Sequence, residues 1–328
     1  MKQIAHILRR IKAPDRSPMI SFAFTHALRN KRAKLTRQLP FLLSLSFSLA
    51  LSALSLPAFA EDAVELTVFA AASLTETIQE ITAMYEAENP GVEIVVSFDS
   101  SGTLKTQILE GAEADLFISA AEKQMDELSG LADPEGRNNE NDLLLAGSRI
   151  DLIENKVCLA VPDGNPKQVK SFDDLAQRLP SGEILLAMGG SDVPVGQYTQ
   201  KILASFGLDE EELSQSGCIT YGSNVKEVTT QVREASVDCG IIYQTDAASA
   251  SLTVVDTAEE AMCGPVIYPA AVLKRSAHPE MAQAFLDYLK SPACSEVFEK
   301  AGFTALFSTE AATETEAEAE AETEDSIS

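Results

Sequence analysis

From residue 65 onward, short β-branched apolar runs alternate with amphipathic stretches, and this alternation is the strongest constraint on the fold. In the first amphipathic stretch, Leu74, Ile78, Ile81 and Tyr85 recur with the spacing of one helix face. Strands that alternate with helices predict a largely parallel sheet with helices on both faces, which is an α/β protein. The predicted strands are 66–70, 93–98, 115–119, 156–161, 184–188, 218–221, 240–243, 252–255 and 266–273, and the predicted helices are 74–87, 103–111, 122–129, 171–176, 196–206, 225–234, 279–290 and 293–301.

Four of the predicted strands run into a small or hydroxylated turn that opens a helix. The turns contain, in chain order, Ser73, then Ser100, Ser101, Gly102 and Thr103, then Pro194, Val195 and Gly196, and finally Ser223 and Asn224. Each junction places free backbone N–H groups and the positive end of a helix dipole at the carboxyl edge of a strand. Open α/β sheets bind ligands at this edge, and such helix ends suit anions. Any one junction can also be an ordinary N-cap, and Ser73 and Glu76 have the spacing of a capping box.

The two ends of the chain differ in composition from the middle. Ten basic residues within the first 40 positions precede an uncharged run, 41–60, that ends in Ala-Phe-Ala. Residues 1–60 are therefore predicted to be a cleaved signal peptide, with a retained membrane anchor as the alternative. Residues 309–328 hold eight acidic residues and no basic one, which predicts a disordered acidic tail. The stretch between the two ends is long for one sheet and suits two lobes.

The charge balance excludes one class of partner. The chain has 25 Lys and Arg against 50 Asp and Glu, a net charge of −25, and the net charge becomes −34 once residues 1–60 are removed. Such a polyanion is predicted not to bind nucleic acid, because it lacks the basic face that displaces phosphate counterions. All five Cys lie after residue 60. Because exported proteins meet an oxidising compartment, either buried structural thiols or one disulfide are predicted.

Signatures of catalysis are scarce in the sequence. His278 is the only histidine after residue 60, and Pro279 follows it at a predicted helix start. A Ser-His-Asp or Cys-His apparatus would thus have one poorly placed candidate, and a metal site would lack partners. The P-loop, G-x-S-x-G and G-x-G-x-x-G motifs are absent from the sequence. A carboxylate pair is the one remaining route to catalysis, so we predict that the chain is not an enzyme.

Five segments carry a resemblance to a known family. They read ELTVFAAASLTETIQEI, VSFDSSGTLKTQILEGAEADLFISA, VPVGQY, GIIYQTDA, and FLDYLKSP followed by FEKAGF. In order and approximate spacing they resemble the periplasmic molybdate-binding proteins of ABC importers across about residues 64–307. The resemblance implies a two-lobed type II periplasmic binding protein fold, in which each lobe is a mostly parallel sheet flanked by helices. It further implies a first lobe of residues 61–148 plus 246–308 and a second lobe of residues 149–245.

The resemblance also implies a ligand site. In that family two Ser hydroxyls, a Tyr hydroxyl and backbone N–H groups hold a tetrahedral oxyanion. By motif, Ser73 and Ser101 match the serines, Val195 and Val225 match positions that donate backbone N–H groups, and Tyr243 matches the tyrosine. Molybdate or tungstate would be held through its oxygens, with no direct ligand to the metal and no cofactor. Gly102 stands where another Ser can occur, which removes one potential donor.

The chemistry of molybdate agrees with this donor set. Molybdate at neutral pH is a fully deprotonated dianion, so its oxygens only accept hydrogen bonds, and a site made wholly of uncharged donors suits it. The predicted function is that of a monomeric receptor, in the periplasm or at the outer face of the cell membrane. It would deliver molybdate or tungstate to an ABC permease and its ATPase. The alternatives are a receptor for sulfate or an organic acid and, from another class, an exported hydrolase that uses a carboxylate pair.

Overall fold

The structure is a computed structural model that describes residues 63–129 and 142–307. The predicted signal peptide at 1–60 and the predicted acidic tail at 309–328 lie outside the described residues. The strands are β1 (Val64–Ala71), β2 (Val92–Asp99), β3 (Leu116–Ile118), β4 (Ile150–Asn155), β5 (Val157–Val161), β6 (Leu186–Gly189), β7 (Ile219–Gly222), β8 (Cys239–Tyr243), β9 (Thr253–Thr257), β10 (Val266–Val272) and β11 (Thr304–Ala305). The α-helices are α1 (Thr75–Glu88), α2 (Ser101–Leu109), α3 (Glu122–Leu128), α4 (Phe172–Arg178), α5 (Pro194–Ser205), α6 (Glu210–Gln215), α7 (Val225–Arg233), α8 (Gln244–Ser249), α9 (Glu260–Cys263), α10 (Pro279–Tyr288) and α11 (Pro292–Ala301).

The strands form two sheets flanked by helices, so the predicted α/β class is confirmed. The first sheet has the order β11-β4-β10-β3-β1-β2 and the second the order β7-β6-β8-β5-β9. Parallel pairs join β1 to β2 and β3, and β6 to β7 and β8. The remaining pairs are antiparallel, so each sheet is mixed rather than mostly parallel. The antiparallel pairs involve β4, β5, β9 and β10, the strands on either side of the two points at which the chain changes sheets.

These two changeovers lie later in the chain than the predicted lobe boundaries. The first falls at Lys156, between β4 in the first sheet and β5 in the second. The second falls at 258–265, between β9 in the second sheet and β10 in the first. The sequence analysis missed β4 and therefore placed the first boundary before it.

The core explains why these segments form these elements. Every residue of β5 and β8 is buried, which is typical of strands covered by helices on both faces. On α1, the buried residues include Ile78, Ile81 and Tyr85, so the predicted helix face is confirmed. All five cysteines are buried free thiols, and the alternative of a disulfide is wrong. Burial raises the pKa of the Cys158 thiol to about 12, so it stays protonated and packs as a small apolar group.

Candidate functional site

The five residues predicted from the sequence line a single small cavity. Its full lining comprises Ala71, Ala72, Ser73, Ser100, Ser101, Ala120, Val193, Pro194, Val195, Val225 and Tyr243. None of these side chains is charged, and they come from elements of both sheets. The cavity has a volume of about 10 Å³.

On the first-sheet side, the register of two strands brings the serines together. β1 and β2 are parallel, and their last residues, Ala71 and Asp99, are direct partners. A 3-10 turn containing Ser73 follows β1, and α2 begins at Ser101 shortly after β2. Both serines therefore lie at the carboxyl edge of the sheet, as the strand–turn–helix pattern predicts.

The second-sheet side repeats this construction with backbone donors. β6 and β7 are parallel and end together, with Gly189 paired to Gly222. Val195 is the second residue of α5 and Val225 the first residue of α7. Their N–H groups fall in the first helical turn, where no intrahelical carbonyl is available to accept them. A Cβ on Gly196 would lie 2.3 Å from the carbonyl oxygen of Gly189, so the start of α5 can pack this closely on β6 only with glycine there.

Tyr243 ends β8, and its hydroxyl is buried without a partner. The side chain is 1% exposed, and the hydroxyl, although close to that of Tyr268, makes no hydrogen bond of acceptable geometry to any described residue. Its ring packs edge-on against Tyr198 and Tyr268, with centroids 6.4 and 5.8 Å away. Burial raises the pKa of Tyr243 well above its usual value, so the phenol stays protonated and remains a donor. A buried polar group without a partner is costly, so this hydroxyl points to a missing acceptor.

Ser101 already accepts one hydrogen bond within the protein. Its Oγ accepts the N–H of Ala120 at 2.9 Å, and the residue is completely buried. Ser100 is the N-cap of α2, because its Oγ accepts the N–H of Thr103 at 3.2 Å. The cap is thus provided by the neighbouring serine, and the hydroxyl proton of Ser101 is left for a ligand.

Ser73 corrects one prediction. The capping-box hypothesis for Ser73 and Glu76 is wrong, because α1 has no side-chain cap and its N-cap residue is Leu74. The Ser73 hydroxyl instead forms a hydrogen bond with the hydroxyl of Tyr268, 2.9 Å away across the first sheet. Asn224, by contrast, is an N-cap, since its side chain accepts the N–H of Glu227 at 3.1 Å.

Direct contacts around the cavity join elements of the two sheets. A Cβ on Gly102 would lie only 2.0 Å from the carbonyl oxygen of Asp192, so α2 touches the loop before α5. Gln124 donates to Gln197 at 3.2 Å, which links α3 to α5. These contacts and the burial of every residue that lines the cavity show that the structure is closed around it.

A charged cluster lies beside the cavity without lining it. Lys226, next to Val225, bridges to both carboxylate oxygens of Glu76, at 3.0 and 2.7 Å. Its Nζ is also 3.2 Å from Asp246 Oδ1, although neither oxygen of Asp246 accepts a hydrogen bond of acceptable geometry from a described residue. Burial raises the pKa of Asp246 to about 6, and the positive charge of Lys226 opposes that shift. The lysine therefore offsets the negative charge of Asp246.

Sequence reasoning missed the support behind the site. Ser100 and Pro194 stand in the turns that were singled out, but neither was predicted to line the cavity. Tyr268 forms a hydrogen bond with Ser73, and Asn155 forms one with Tyr268. No local sequence pattern marks these two residues, because the contacts join positions more than a hundred residues apart. Among the described residues, no group of three or more His, Cys, Asp or Glu side chains could hold a metal ion.

A small closed cavity at the carboxyl ends of strands from two sheets, lined by uncharged donors, suits the capture of a small solute. Comparison with known proteins agrees with this geometry, because residues 66–304 match the bacterial extracellular solute-binding proteins. The chain belongs to this family. As a member of it, the protein is exported, and no helix in the described part of the chain has both the length and the apolar character needed to cross a bilayer.

The relatives of this solute-binding protein serve ABC transporters. A Bacillus subtilis (strain 168) protein, assigned as an ABC transporter substrate-binding lipoprotein, is 36% identical over 246 residues, covering 75% of this chain and 88% of the relative. The molybdate-binding protein ModA of Escherichia coli (strain K12) is 33% identical over 264 residues, covering 80% of this chain and 95% of the relative. The crystal structure of the Azotobacter vinelandii periplasmic molybdate-binding protein has the same fold, with a TM-score of 0.60 at 21% identity over 73% of this chain and 98% of that one.

These findings confirm the coarse functional predictions. The protein is an ABC transporter solute-binding protein, and it is not an enzyme. The two-lobed periplasmic binding protein fold is shared with the solved relatives. The resemblance of the five sequence segments to molybdate-binding proteins is likewise confirmed by the relatives that carry this name.

Proposed function

We propose that the protein captures molybdate, and also tungstate, in the closed cavity and delivers it to an ABC permease and its ATPase. The observation that carries the proposal is the buried Tyr243 hydroxyl, which has no acceptor among the described residues. A fully deprotonated oxyanion between Tyr243 and the two serines would supply that acceptor. It would also accept from the free N–H groups at Val195 and Val225.

The size of the cavity favours an inorganic ion over an organic solute. The cavity volume of about 10 Å³ is far below the roughly 300–1,000 Å³ that pockets for organic ligands usually offer. The lining holds no Arg or Lys for a carboxylate and no Asp or Glu for an ammonium group. An amino acid or organic acid would therefore find neither room nor its usual charged partners.

The donor set can provide strong binding without a positive side chain. A hydrogen bond to a charged group contributes about 1.5–3 kcal/mol, so five donating residues can support sub-micromolar affinity after the cost of association is subtracted. The net charge of the protein opposes a dianion at long range, but a Debye length of about 8 Å at physiological salt screens most of that repulsion. Neutral donors also permit release once the site opens.

The division into lobes belongs to the same proposal. We assign one lobe to the first sheet, residues 63–129, 142–155 and 266–307, and the other to the second sheet, residues 157–257. The ligand would bridge them, because Ser73 and Ser101 come from the first and Val195, Val225 and Tyr243 from the second. The proposal also includes that the protein is a monomer and that a signal peptide at 1–60 directs its secretion. It would act in the periplasm or at the outer face of the cell membrane.

Calorimetric titration with molybdate, tungstate, sulfate and phosphate tests this function. We expect sub-micromolar binding of the first two anions and at least about hundredfold weaker binding of the others. Heat with sulfate alone would identify a sulfate receptor, and the absence of heat with all four would refute an oxyanion site.

A variant links the binding to the cavity. Ser101→Ala removes a buried donor and should weaken molybdate binding at least about tenfold. Ser205→Ala, on the exposed end of α5, should bind like the unmodified protein. Equal affinities in both variants would show that Ser101 does not contact the ligand.

A further inference from the structure

Ser73 is backed by a chain of buried polar groups that lies outside the cavity lining. Its Oγ is 2.9 Å from the hydroxyl of Tyr268, and that hydroxyl is 3.2 Å from Nδ2 of Asn155. Nδ2 of Asn155 also donates to Oγ1 of Thr245 at 2.9 Å. Tyr268 is fully buried and Asn155 is 3% exposed, so solvent does not compete for these bonds.

The orientation of the Asn155 amide is fixed by the backbone. Its Oδ1 accepts the N–H of Lys156 at 2.8 Å, so the NH₂ group must point the other way, toward Thr245 and Tyr268. One amide proton goes to each of those oxygens. The Tyr268 oxygen is therefore an acceptor toward Asn155.

The hydroxyl of Tyr243 lies close to that of Tyr268 but makes no hydrogen bond of acceptable geometry. The single hydroxyl proton of Tyr268 then has one well-placed acceptor among the described residues, Ser73 Oγ. In the opposite arrangement, Tyr268 would accept from both Asn155 and Ser73, and its own proton would have no acceptor of acceptable geometry. Because Tyr268 donates, Ser73 Oγ accepts, and the proton of Ser73 turns toward the cavity. Burial holds the pKa of Tyr268 well above its usual value, which keeps this proton on the phenol.

We infer that Tyr268 and Asn155 are positioning residues that make Ser73 an obligate hydrogen-bond donor to the bound oxyanion. The inference rests on the proposed function of the cavity. Ser101 is oriented similarly, since one of the two lone pairs of its Oγ accepts the N–H of Ala120. Both serines thus direct their protons into the cavity, which matches an anion whose every oxygen accepts and disfavours an anion that carries its own proton. The choice between anions therefore depends on Tyr268 and Asn155 as well as on the serines that contact the ligand.

A double-mutant cycle measured by calorimetry with molybdate tests this inference. Ser73→Ala and Tyr268→Phe should each weaken binding about tenfold. If Tyr268 acts through Ser73, the double variant should bind within about twofold of Ser73→Ala. Additive losses, or unchanged affinity in Tyr268→Phe, would overturn the inference. Tyr85→Phe, a buried tyrosine outside the cavity lining, is the matched control and should change nothing.

A second readout separates positioning from a general structural effect. In Tyr268→Phe, the Ser73 proton is free to turn away from the cavity, so that its oxygen can accept from a protonated anion. The preference for molybdate over hydrogenphosphate, measured by competition, should therefore fall at least about tenfold. Equal weakening of both anions would overturn the inference. If Tyr268→Phe does not fold, Asn155→Asp replaces it in the experiment. This variant keeps an acceptor for the N–H of Lys156, but its side chain would accept the Tyr268 proton instead of donating to Tyr268. Its molybdate affinity should fall, and its melting temperature shows whether it is folded. If the unmodified protein binds no oxyanion, the proposed function fails; if it binds and the cycle is additive, only this inference fails.

Discussion

Replacing Tyr243 by phenylalanine should move ligand affinity and protein stability in opposite directions. The change removes one oxygen that is buried, lines the cavity and has no partner in the described chain. It leaves the ring, and so its edge-on packing against Tyr198 and Tyr268, in place. The variant therefore isolates the hydroxyl.

The magnitudes follow from the environment of that oxygen. A hydrogen bond to a charged ligand is worth about 1.5–3 kcal/mol, so molybdate affinity should fall roughly 10- to 150-fold. A buried hydroxyl without a partner costs about 1–3 kcal/mol, so the ligand-free variant should be at least as stable as the unmodified protein. An ordinary buried tyrosine that donates a hydrogen bond would show the reverse effect on stability.

Calorimetry with molybdate and thermal unfolding without ligand measure the two effects on the same preparation. Tyr85→Phe is the control, because Tyr85 is also buried but packs against Phe285 and Tyr288 away from the cavity. Unchanged affinity in Tyr243→Phe would refute the role of the hydroxyl as a ligand donor. A clearly lower melting temperature in the ligand-free variant would show that the hydroxyl has a partner in the protein.

Three further predictions concern closure, backbone recognition and pH. Gly102→Ala places a Cβ 2.0 Å from the carbonyl oxygen of Asp192, so it should hold the cavity open and weaken molybdate binding at least about tenfold. Gly91→Ala is the control, because a Cβ there meets no atom within 4 Å, and its affinity should not change. Equal affinities of the two variants in calorimetry would contradict closure at this contact. Val195→Ala keeps the N–H and should change the molybdate Kd by less than about threefold, and a larger loss would mean that the side chain, not the backbone, recognises the ligand. Because burial raises the pKa of Asp246 from 3.8 to about 6, the folded protein binds this proton more tightly than the unfolded chain, and stability should fall by up to about 3 kcal/mol as pH rises between those values. Chemical denaturation across this range should show a flatter profile for Asp246→Asn, and an identical profile would contradict the shift.

The local parts of the fold and site could be predicted from the sequence. The apolar runs at β5 and β8 and the periodic face of α1 are set by burial, which a short window of sequence records directly. The strand–turn–helix junctions place Ser101 at the carboxyl edge of the first sheet and Val195 and Val225 at that of the second, because parallel strands end together. That these groups bind molybdate stays a prediction, which the calorimetric titration addresses.

The parts that failed depend on partners distant in the chain. Ser73 has the spacing of a cap, but Tyr268, far away in sequence, takes its hydroxyl instead. β4 was missed because Ile150–Asn155 mixes acidic and apolar residues, and it is a strand because it pairs with β10 and β11. The predicted lobe boundary at residue 148 precedes the change of sheet at Lys156, because β4 was not among the predicted strands. The disulfide alternative failed because all five cysteines are buried in the core as free thiols.

The most direct test of the account is a crystal of the protein soaked in tungstate, with the anomalous signal of tungsten used to locate the ion. If the cavity binds the oxyanion, one strong peak should lie inside it, with oxygens of the anion within hydrogen-bond distance of Ser73 Oγ, Ser101 Oγ and Tyr243 OH. A peak elsewhere with the cavity unoccupied, or no peak at a concentration that saturates binding in solution, would contradict it.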